Sequence, residues 1–203
     1  MITFSPSVLS SVQRLPKKLL PRRTGRGMLI AIDASVEHGD ALAAGAIAGA
    51  KLIMLDPQQD SIQQITQAIH HTAAKSVHIV THGSPGCLHF SSGDVTAKNL
   101  HYYADQFESW FRYAPAFRGS TMRVQSHDHF LSLYACNVGA KETGRTFVEK
   151  LHHLVGVSIH ASSRKIGTLA VEGSWQLDIS YPFPHKAQFP FTDDLLKSYE
   201  VKL

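Results

Sequence analysis

The sequence contains little cysteine, and its two cysteines form no recognisable motif. Cys87 and Cys136 lie far apart, so the chain has neither a C-x-x-C metal or redox motif nor a disulfide framework. No apolar run approaches the roughly 20 residues that a membrane-spanning helix needs. These absences exclude a small disulfide-stabilised scaffold, predict no transmembrane segment and favour a reducing compartment.

Acidic residues are absent from residues 1–27, which hold six of the 20 basic residues of the chain. The remainder therefore has 14 basic residues against 16 acidic ones and carries a small negative charge. The net charge of +4 thus belongs to the N-terminal segment and not to the rest of the chain. Because binding to a phosphate backbone needs clustered positive charge, we expect no nucleic-acid binding from the domain after residue 27.

The ends of the chain differ in composition from its middle. Residues 1–27 lack the apolar core and cleavage pattern of a secretory signal, which favours a cytoplasmic location. An organelle transit segment is the alternative, because the segment is rich in Ser and Arg and free of acids. A third interpretation is a basic arm that, with the proline-punctuated tail 182–203, docks onto a protein complex. The residues between these two ends, 28–181, form the predicted domain.

Apolar runs alternate with helical patterns through this domain. Buried strands are predicted over 28–32, 51–55, 76–81, 130–135 and 157–161, with an alternating edge strand over 173–179. Helices are predicted over 40–50, 61–74 (capped by Asp60), 99–112 (capped by Asn99) and up to Gly156, with a loop over 114–128. This order predicts an α/β fold with a mostly parallel six-stranded sheet and helices on both faces.

Polar residues follow the predicted strands, where sites of parallel sheets lie. His82 follows one strand and Cys136 follows another, 54 positions later. An imidazole that takes or shares the proton of a thiol makes the sulfur a nucleophile. Gly83, without a side chain, lets its backbone N–H approach a reacting carbonyl as an oxyanion donor, together with the Cys136 N–H. A buried structural cysteine and histidine are the alternative.

Three other strand-end residues are candidates for a substrate pocket. Asp33 and Asp56 end the first two strands, and an acid there would favour a basic substrate residue. Turn or cap roles are the alternatives for both. Ser162 follows the fifth strand and is either a pocket wall or part of a loop. Cys87 is a competing nucleophile, disfavoured because the pattern does not place it at a strand end.

The 13 histidines raise the question of a metal. The clusters are His127-x-His129 beside Asp128, His70-His71 and His152-His153. Adjacent helical residues point apart, and the chain has no H-E-x-x-H motif. The sequence therefore predicts neither a metal nor another cofactor.

The His-Gly and Ala-Cys strand ends resemble the catalytic signature of caspase-like (clan CD) cysteine peptidases. More narrowly, residues 28–180 resemble DUF4347, a bacterial and largely cyanobacterial domain family of unknown function. The stretches that carry this resemblance are Ile32-Asp33-Ala34-Ser35-Val36, Leu55-Asp56-Pro57, His78 to Gly86, Cys136-Asn137-Val138-Gly139, Glu142-Thr143-Gly144 and Trp175-Gln176-Leu177. The segment His82-Gly83-Ser84-Pro85-Gly86 is the most specific part.

The resemblance implies a three-layer caspase-hemoglobinase sandwich, with His82 as general base and Cys136 as nucleophile. It implies a cysteine endopeptidase acting on a protein or peptide, with Asp33 favouring cleavage after a basic residue. Members of the narrower family often stand at the front of large secreted or surface proteins, where they would process the remainder of the polypeptide. A catalytically silent caspase-fold subunit that binds a larger complex through its termini is the second hypothesis.

Overall fold

A computed structural model describes residues 24–111, 129–168, 172–184, 187–199 and 203 of the chain. The strands are β1 (Met28–Ile32), β2 (Lys51–Met54), β3 (Ser76–Val80), β4 (His82–Ser84), β5 (Cys87–Phe90), β6 (Gly93–Thr96), β7 (Phe130–Tyr134), β8 (Ser158–Ala161) and β9 (Ile179–Tyr181). The helices are α1 (Gly39–Ala44), α2 (Ser61–Thr72), α3 (Ala104–Ser109), α4 (Lys141–Val155) and α5 (Asp193–Ser198), with a 3₁₀ turn over Leu100–Tyr103.

The central sheet has six strands in the order β2-β1-β3-β7-β8-β9. Every neighbouring pair is parallel except β8 and β9 at one edge. All residues of β1, β3 and β7 are buried, as expected for apolar strands covered on both faces. The predicted α/β fold with a mostly parallel six-stranded sheet is confirmed.

One face of the sheet packs against α2, α3 and α4. Helix α2 begins where the Asp60 carboxylate accepts a hydrogen bond from the Gln63 N–H at 2.7 Å, as predicted. Its residues Ile62, Ile65 and Ile69 point into a first hydrophobic cluster together with Phe147 of α4. We call this cluster the helical-face core.

The other face packs against α1, α5 and the segment that leads into α5. A second hydrophobic cluster joins alternate residues of β1, β3 and β7 to Leu42 of α1, to Phe191 just before α5 and to Leu195 of α5. We call it the second core. The residues set apart as a C-terminal tail thus supply apolar side chains to the domain, and Phe191 is fully buried.

Three predicted elements differ from the structure. The edge strand is Ile179–Tyr181 and not 173–179. Trp175 and Leu177 pack on the second core but Ile179 packs on the helical-face core, whereas alternate residues of one strand would share a face. The helix predicted over 99–112 is divided into a 3₁₀ turn and α3. The side chain of Asn99 accepts from the Thr96 N–H and donates to the Asp94 carbonyl, so it closes the preceding turn and caps no helix.

The helix predicted over 40–50 ends at Ala44, before Gly45. A Cβ on Gly45 would lie 2.5 Å from a Leu195 side-chain carbon, and the Gly45 carbonyl accepts from the Thr192 N–H. The chain therefore leaves the helix where α5 approaches it.

A second, three-stranded antiparallel sheet of β4, β5 and β6 follows β3, and the sequence pattern does not predict it as a sheet. Leu88, Phe90 and Val95 on one of its faces belong to the helical-face core. The predicted loop 114–128 and most of the basic segment 1–27 lie outside the described residues. Within the described part of the chain, no helix is long and apolar enough to span a bilayer.

Candidate functional site

His82 and Cys136 follow the ends of two adjacent strands, β3 and β7. Strands β3 and β7 pair in parallel with Val80 opposite Tyr134, and the Thr81 N–H donates to the Tyr134 carbonyl. His82 and Cys136 each come two residues after the pair of Val80 and Tyr134, His82 at the start of β4 and Cys136 in a turn. Val80, Tyr134 and Cys136 all belong to the second core, so Cys136 lies on the face that this row of side chains shares.

The position of His82 coincides with the point where the strand order reverses. From β1, the chain first adds β2 on one side and then β3 on the other, so the switch point lies between β1 and β3. There the His82 Nε2 lies 3.1 Å from the carbonyl oxygen of Ser35, which follows β1. A carbonyl can only accept, so Nε2 carries the proton and Nδ1 is the basic nitrogen.

Gly83 packs directly against the end of β7. A Cβ at this position would lie 2.8 Å from the Ala135 Cβ and 3.0 Å from the Cys136 carbonyl oxygen. Only a glycine allows the first residues of β4 to approach β7 this closely. Close backbone packing is therefore a sufficient reason for a glycine at position 83. The role of the Gly83 N–H as an oxyanion donor remains a prediction.

The thiol of Cys136 is buried, with the residue 7% exposed. Its sulfur accepts a hydrogen bond from the Ile166 N–H at 3.1 Å and lies 3.9 Å from the Ile166 carbonyl oxygen. The sulfur is therefore covered by the backbone of Ile166, which supplies a polar contact.

The segment 162–166, which follows β8, lies across the end of β7. The Gly139 N–H donates to the Ser162 carbonyl, and the Asn137 N–H donates to the Arg164 carbonyl. Ser162 is fully buried, and its hydroxyl exchanges hydrogen bonds with the backbone of Arg164. Ser162 and Cys136 thus both lie at the edge of the sheet formed by the carboxyl ends of the parallel strands. The Ser162 hydroxyl is hydrogen-bonded within its own turn.

Asp33 is fully buried at the end of β1. Its carboxylate accepts hydrogen bonds from the N–H and hydroxyl of Ser35 and from the N–H and hydroxyl of Ser91. Ser91 lies in the turn between β5 and β6, so Asp33 ties the small sheet to the central one. The predicted pocket role remains a prediction, and the described contacts are structural ones.

Asp56 lies beyond β2, two strands from β3, which corresponds to about 10 Å. Its carboxylate accepts from the Gln58 N–H and the Gln59 side chain. The hydrogen bond from the Gln58 backbone, followed by that from Gln59, lowers the pKa of Asp56. This is the turn role that the sequence pattern leaves open, and a pocket role remains a prediction.

A polar cluster on the small sheet is not predicted from the sequence. The Cys87 sulfur lies 3.5 Å from His89 Nδ1, and this nitrogen lies 2.7 Å from an Asp94 carboxylate oxygen. The Ser84 hydroxyl lies 2.9 Å from His89 Nε2. The sequence signal that could have indicated this cluster is the Cys-x-His spacing directly after a Ser-Pro-Gly turn. Burial, and then the charge of Asp94, raises the pKa of Cys87 to about 11, which disfavours it as a nucleophile.

Comparison with known proteins gives one result that covers most of the chain. Neither a curated protein nor a solved structure matches the sequence. A family model, described as a domain of unknown function, matches residues 29–203 and so includes both His82 and Cys136. The match also extends through the C-terminal segment that packs on the second core. The chain therefore belongs to the DUF4347 family.

Proposed function

We propose that this domain is a caspase-like cysteine peptidase in which His82 and Cys136 form the catalytic dyad. The observation that supports the proposal is the parallel pairing of β3 and β7, because His82 and Cys136 each follow the last pair, Val80 and Tyr134, by two residues. His82 also lies at the switch point between β1 and β3, where α/β proteins bind ligands, and Cys136 follows the next strand, β7. The finer likeness to the caspase-hemoglobinase sandwich is part of this proposal.

The chemistry follows from the protonation state of His82. Nδ1 takes the proton of the Cys136 thiol, and the sulfur attacks the peptide carbonyl carbon. The tetrahedral intermediate collapses as the C–N bond breaks, and the imidazolium gives its proton to the leaving amine. Water then hydrolyses the thioester and restores the thiol. The Ser35 carbonyl, by holding Nε2–H, is a positioning group for this step.

Substrate access requires the covering segment to move. Ile166 contacts the Cys136 sulfur, and the Ile166 carbonyl also accepts from the Leu203 N–H. A peptide carbonyl can reach the sulfur once this contact opens, so the described state is a closed one. The carboxylates of Asp33 and Asp56 are engaged in structural hydrogen bonds. The proposal therefore rests on the dyad and not on a preference for basic residues.

The experiment uses two acyloxymethyl ketone peptides that differ only in the residue before the reactive carbonyl, lysine in one and leucine in the other. We expect the full-length protein to be labelled at Cys136 and Cys136→Ala not to be labelled. Cys87→Ala is the matched control and should retain labelling. His82→Ala should lower the labelling rate about 100-fold or more, since general-base catalysis contributes on that scale.

Equal labelling of the wild-type protein and Cys136→Ala would remove Cys136 as the nucleophile. Faster labelling by the lysine peptide than by the leucine peptide would support the predicted preference for a basic residue. Equal rates with the two peptides would overturn that preference and leave the dyad intact.

The burial of Cys136 favours a second candidate, a catalytically silent domain that binds a larger complex. In this case neither peptide labels Cys136 in the folded protein. If residues 1–27 carry the docking, their deletion should abolish co-purification with the partner that the full chain retains. Unchanged co-purification would count against docking through this segment.

A further inference from the structure

The small sheet of β4, β5 and β6 has one apolar face and one polar face. Leu88, Phe90 and Val95 are buried in the helical-face core. Ser84 pairs with Cys87, and His89 pairs with Asp94, so these four residues lie on the opposite face, since side chains alternate along a strand. The pattern concentrates a thiol, an imidazole, a carboxylate and a hydroxyl on one short stretch of sheet.

The distance between the sulfur and the imidazole nitrogen of this cluster matches a metal site. The ligand atoms of Cys87, His89 and Asp94 all lie within 4.8 Å of one another. A tetrahedral zinc ion with Zn–S of about 2.3 Å and Zn–N of about 2.0–2.1 Å separates sulfur and nitrogen by about 3.5 Å. The observed separation of Cys87 Sγ and His89 Nδ1 is 3.5 Å.

The carboxylate requires only a small adjustment. Its oxygen lies 2.7 Å from His89 Nδ1, which is the length of a hydrogen bond. Two zinc ligands of this type lie roughly 3.3 Å apart at tetrahedral angles. The Asp94 side chain is 58% exposed and can rotate away by this amount without disturbing packed neighbours.

The second nitrogen of His89 already has the partner that a metal-bound imidazole needs. Metal-binding histidines donate their other ring N–H to a nearby acceptor, which fixes the orientation of the ring. His89 Nε2 lies 2.9 Å from the Ser84 hydroxyl. With Nδ1 on a metal, Nε2–H donates to this oxygen.

We propose that Cys87, His89 and Asp94 bind a divalent transition-metal ion of the zinc class. The mixed sulfur, nitrogen and oxygen set favours zinc or cobalt over magnesium or calcium, which prefer oxygen ligands. Three protein ligands leave a fourth position, which faces solvent beside the half-exposed His89 and the exposed Asp94. This site borders the one in the proposed function, because His82 pairs with His89 across the small sheet, but neither His82 nor Cys136 is a ligand.

The test is a titration of the chelator-treated, full-length protein with cobalt(II), followed by absorption. Binding to a cysteine sulfur produces a near-ultraviolet sulfur-to-cobalt charge-transfer band. We expect the band to reach saturation at one equivalent, to be absent in Cys87→Ser and to persist in Cys136→Ser. Absence of the band in the wild-type protein, or its persistence in Cys87→Ser, would overturn the proposal.

Two further variants test the metal site in case Cys87→Ser fails to fold. Asp94→Asn changes an exposed side chain, and Ser84→Ala removes only the acceptor for His89. Because loss of an outer partner weakens metal binding about 10- to 100-fold, we expect a loss of this size in Ser84→Ala and at least as large a loss in Asp94→Asn. Zinc affinity, measured by calorimetry, that is unchanged in both variants would show adventitious binding by other histidines and overturn the site.

Discussion

Asp33 illustrates how a residue that is expected in a site can instead hold the scaffold. Its carboxylate accepts hydrogen bonds from Ser35 on its own turn and from Ser91, 58 positions away. A fully buried carboxylate is tolerated only when hydrogen bonds replace the lost water. The local sequence predicts the turn, but it carries no signal for the distant Ser91.

Asp33→Ala should lower the free energy of unfolding by about 3 kcal/mol, because Ser91 and Ser35 lose an ionised acceptor in a buried place. Chemical denaturation followed by circular dichroism measures the effect. Asp56→Ala is the matched control, because Asp56 is the acid that follows the neighbouring strand β2 and it lies in an exposed turn. This substitution should lower the free energy of unfolding by less than about 1 kcal/mol. Similar small losses in both variants would contradict the structural role of Asp33.

His78 is a buried ionisable residue in the middle of β3. Its ring lies 5.5 Å from the ring of Phe130 and stacks on Tyr134. Burial, with a smaller contribution from His160, lowers the pKa of His78 from 6.5 to about 3. The unfolded chain therefore binds a proton below pH 6.5 that the folded protein cannot accept, and stability falls as the pH is lowered from 6.5 to 3.

His78→Leu should reduce this acid sensitivity. At pH 5 the excluded proton costs the wild-type protein about 2 kcal/mol relative to pH 7, and the variant should lack that difference. Urea denaturation at the two pH values gives the comparison, with exposed His71→Gln as a control that behaves like the wild type. An unchanged pH dependence in His78→Leu would contradict the neutral, buried state of this histidine.

At the scale of the element, the turn from β4 to β5 connects the small sheet to the rest of the domain. Pro85 and Gly86 occupy the turn between the paired residues Ser84 and Cys87, and Gly86 has a φ of +77°. A Cβ on Gly86 would lie 2.7 Å from the Thr143 carbonyl oxygen, and its N–H donates to the Val138 carbonyl. The sequence predicts the turn, whereas this contact with α4 depends on the tertiary fold.

Gly86→Ala should destabilise the protein by about 2 kcal/mol or more, since the left-handed conformation alone costs about 1–2 kcal/mol and the new methyl group meets the Thr143 backbone. Gly27→Ala separates these effects, because Gly27 has the same φ of +77° and an added Cβ there would meet only the Lys75 side chain, at an ordinary contact distance of 3.5 Å. Thermal unfolding should show the larger loss for Gly86→Ala. Equal losses would remove the contact with α4 as a contributor.

The elements that the sequence predicts well are those whose own residues carry the signal. The Asp60 cap and the isoleucine spacing fix α2, and Gly156, with a φ of 73°, ends α4. Within the helix predicted over 99–112, the division into a 3₁₀ turn and α3 is not predicted, and Asn99 bonds to β6 instead of capping the helix. The strand ends at His82 and Cys136 are predictable, but the covering contact of Ile166 with Cys136 joins residues 30 positions apart.

At the scale of the whole molecule, the C-terminal segment completes the second core. The prolines of this segment predict a tail outside the domain. In the structure, however, Tyr199 is 3% exposed, and the Tyr199 hydroxyl donates to the Glu37 carbonyl at 2.6 Å. The family match also continues to residue 203. This segment therefore packs on α1 and the sheet, a long-range arrangement that spacing alone does not reveal.

Tyr199→Phe should lower the free energy of unfolding by about 1 kcal/mol, because it removes one buried hydrogen bond and leaves the ring packing in place. Denaturant unfolding of the full chain provides the measurement. Tyr102→Phe removes a hydroxyl from a side chain that is largely exposed and should have no effect. Loss of the same size in both variants would contradict the anchoring role of Tyr199.

The central claim is that the His82 imidazole activates the Cys136 thiol. It is tested most directly by the rate of iodoacetamide alkylation at each cysteine of the folded protein, resolved by mass spectrometry at neutral pH. The account predicts faster modification of Cys136 than of Cys87, and a fall of about tenfold or more at Cys136 alone in His82→Ala. A Cys136 that remains unmodified, or one whose rate is the same with and without His82, would contradict it.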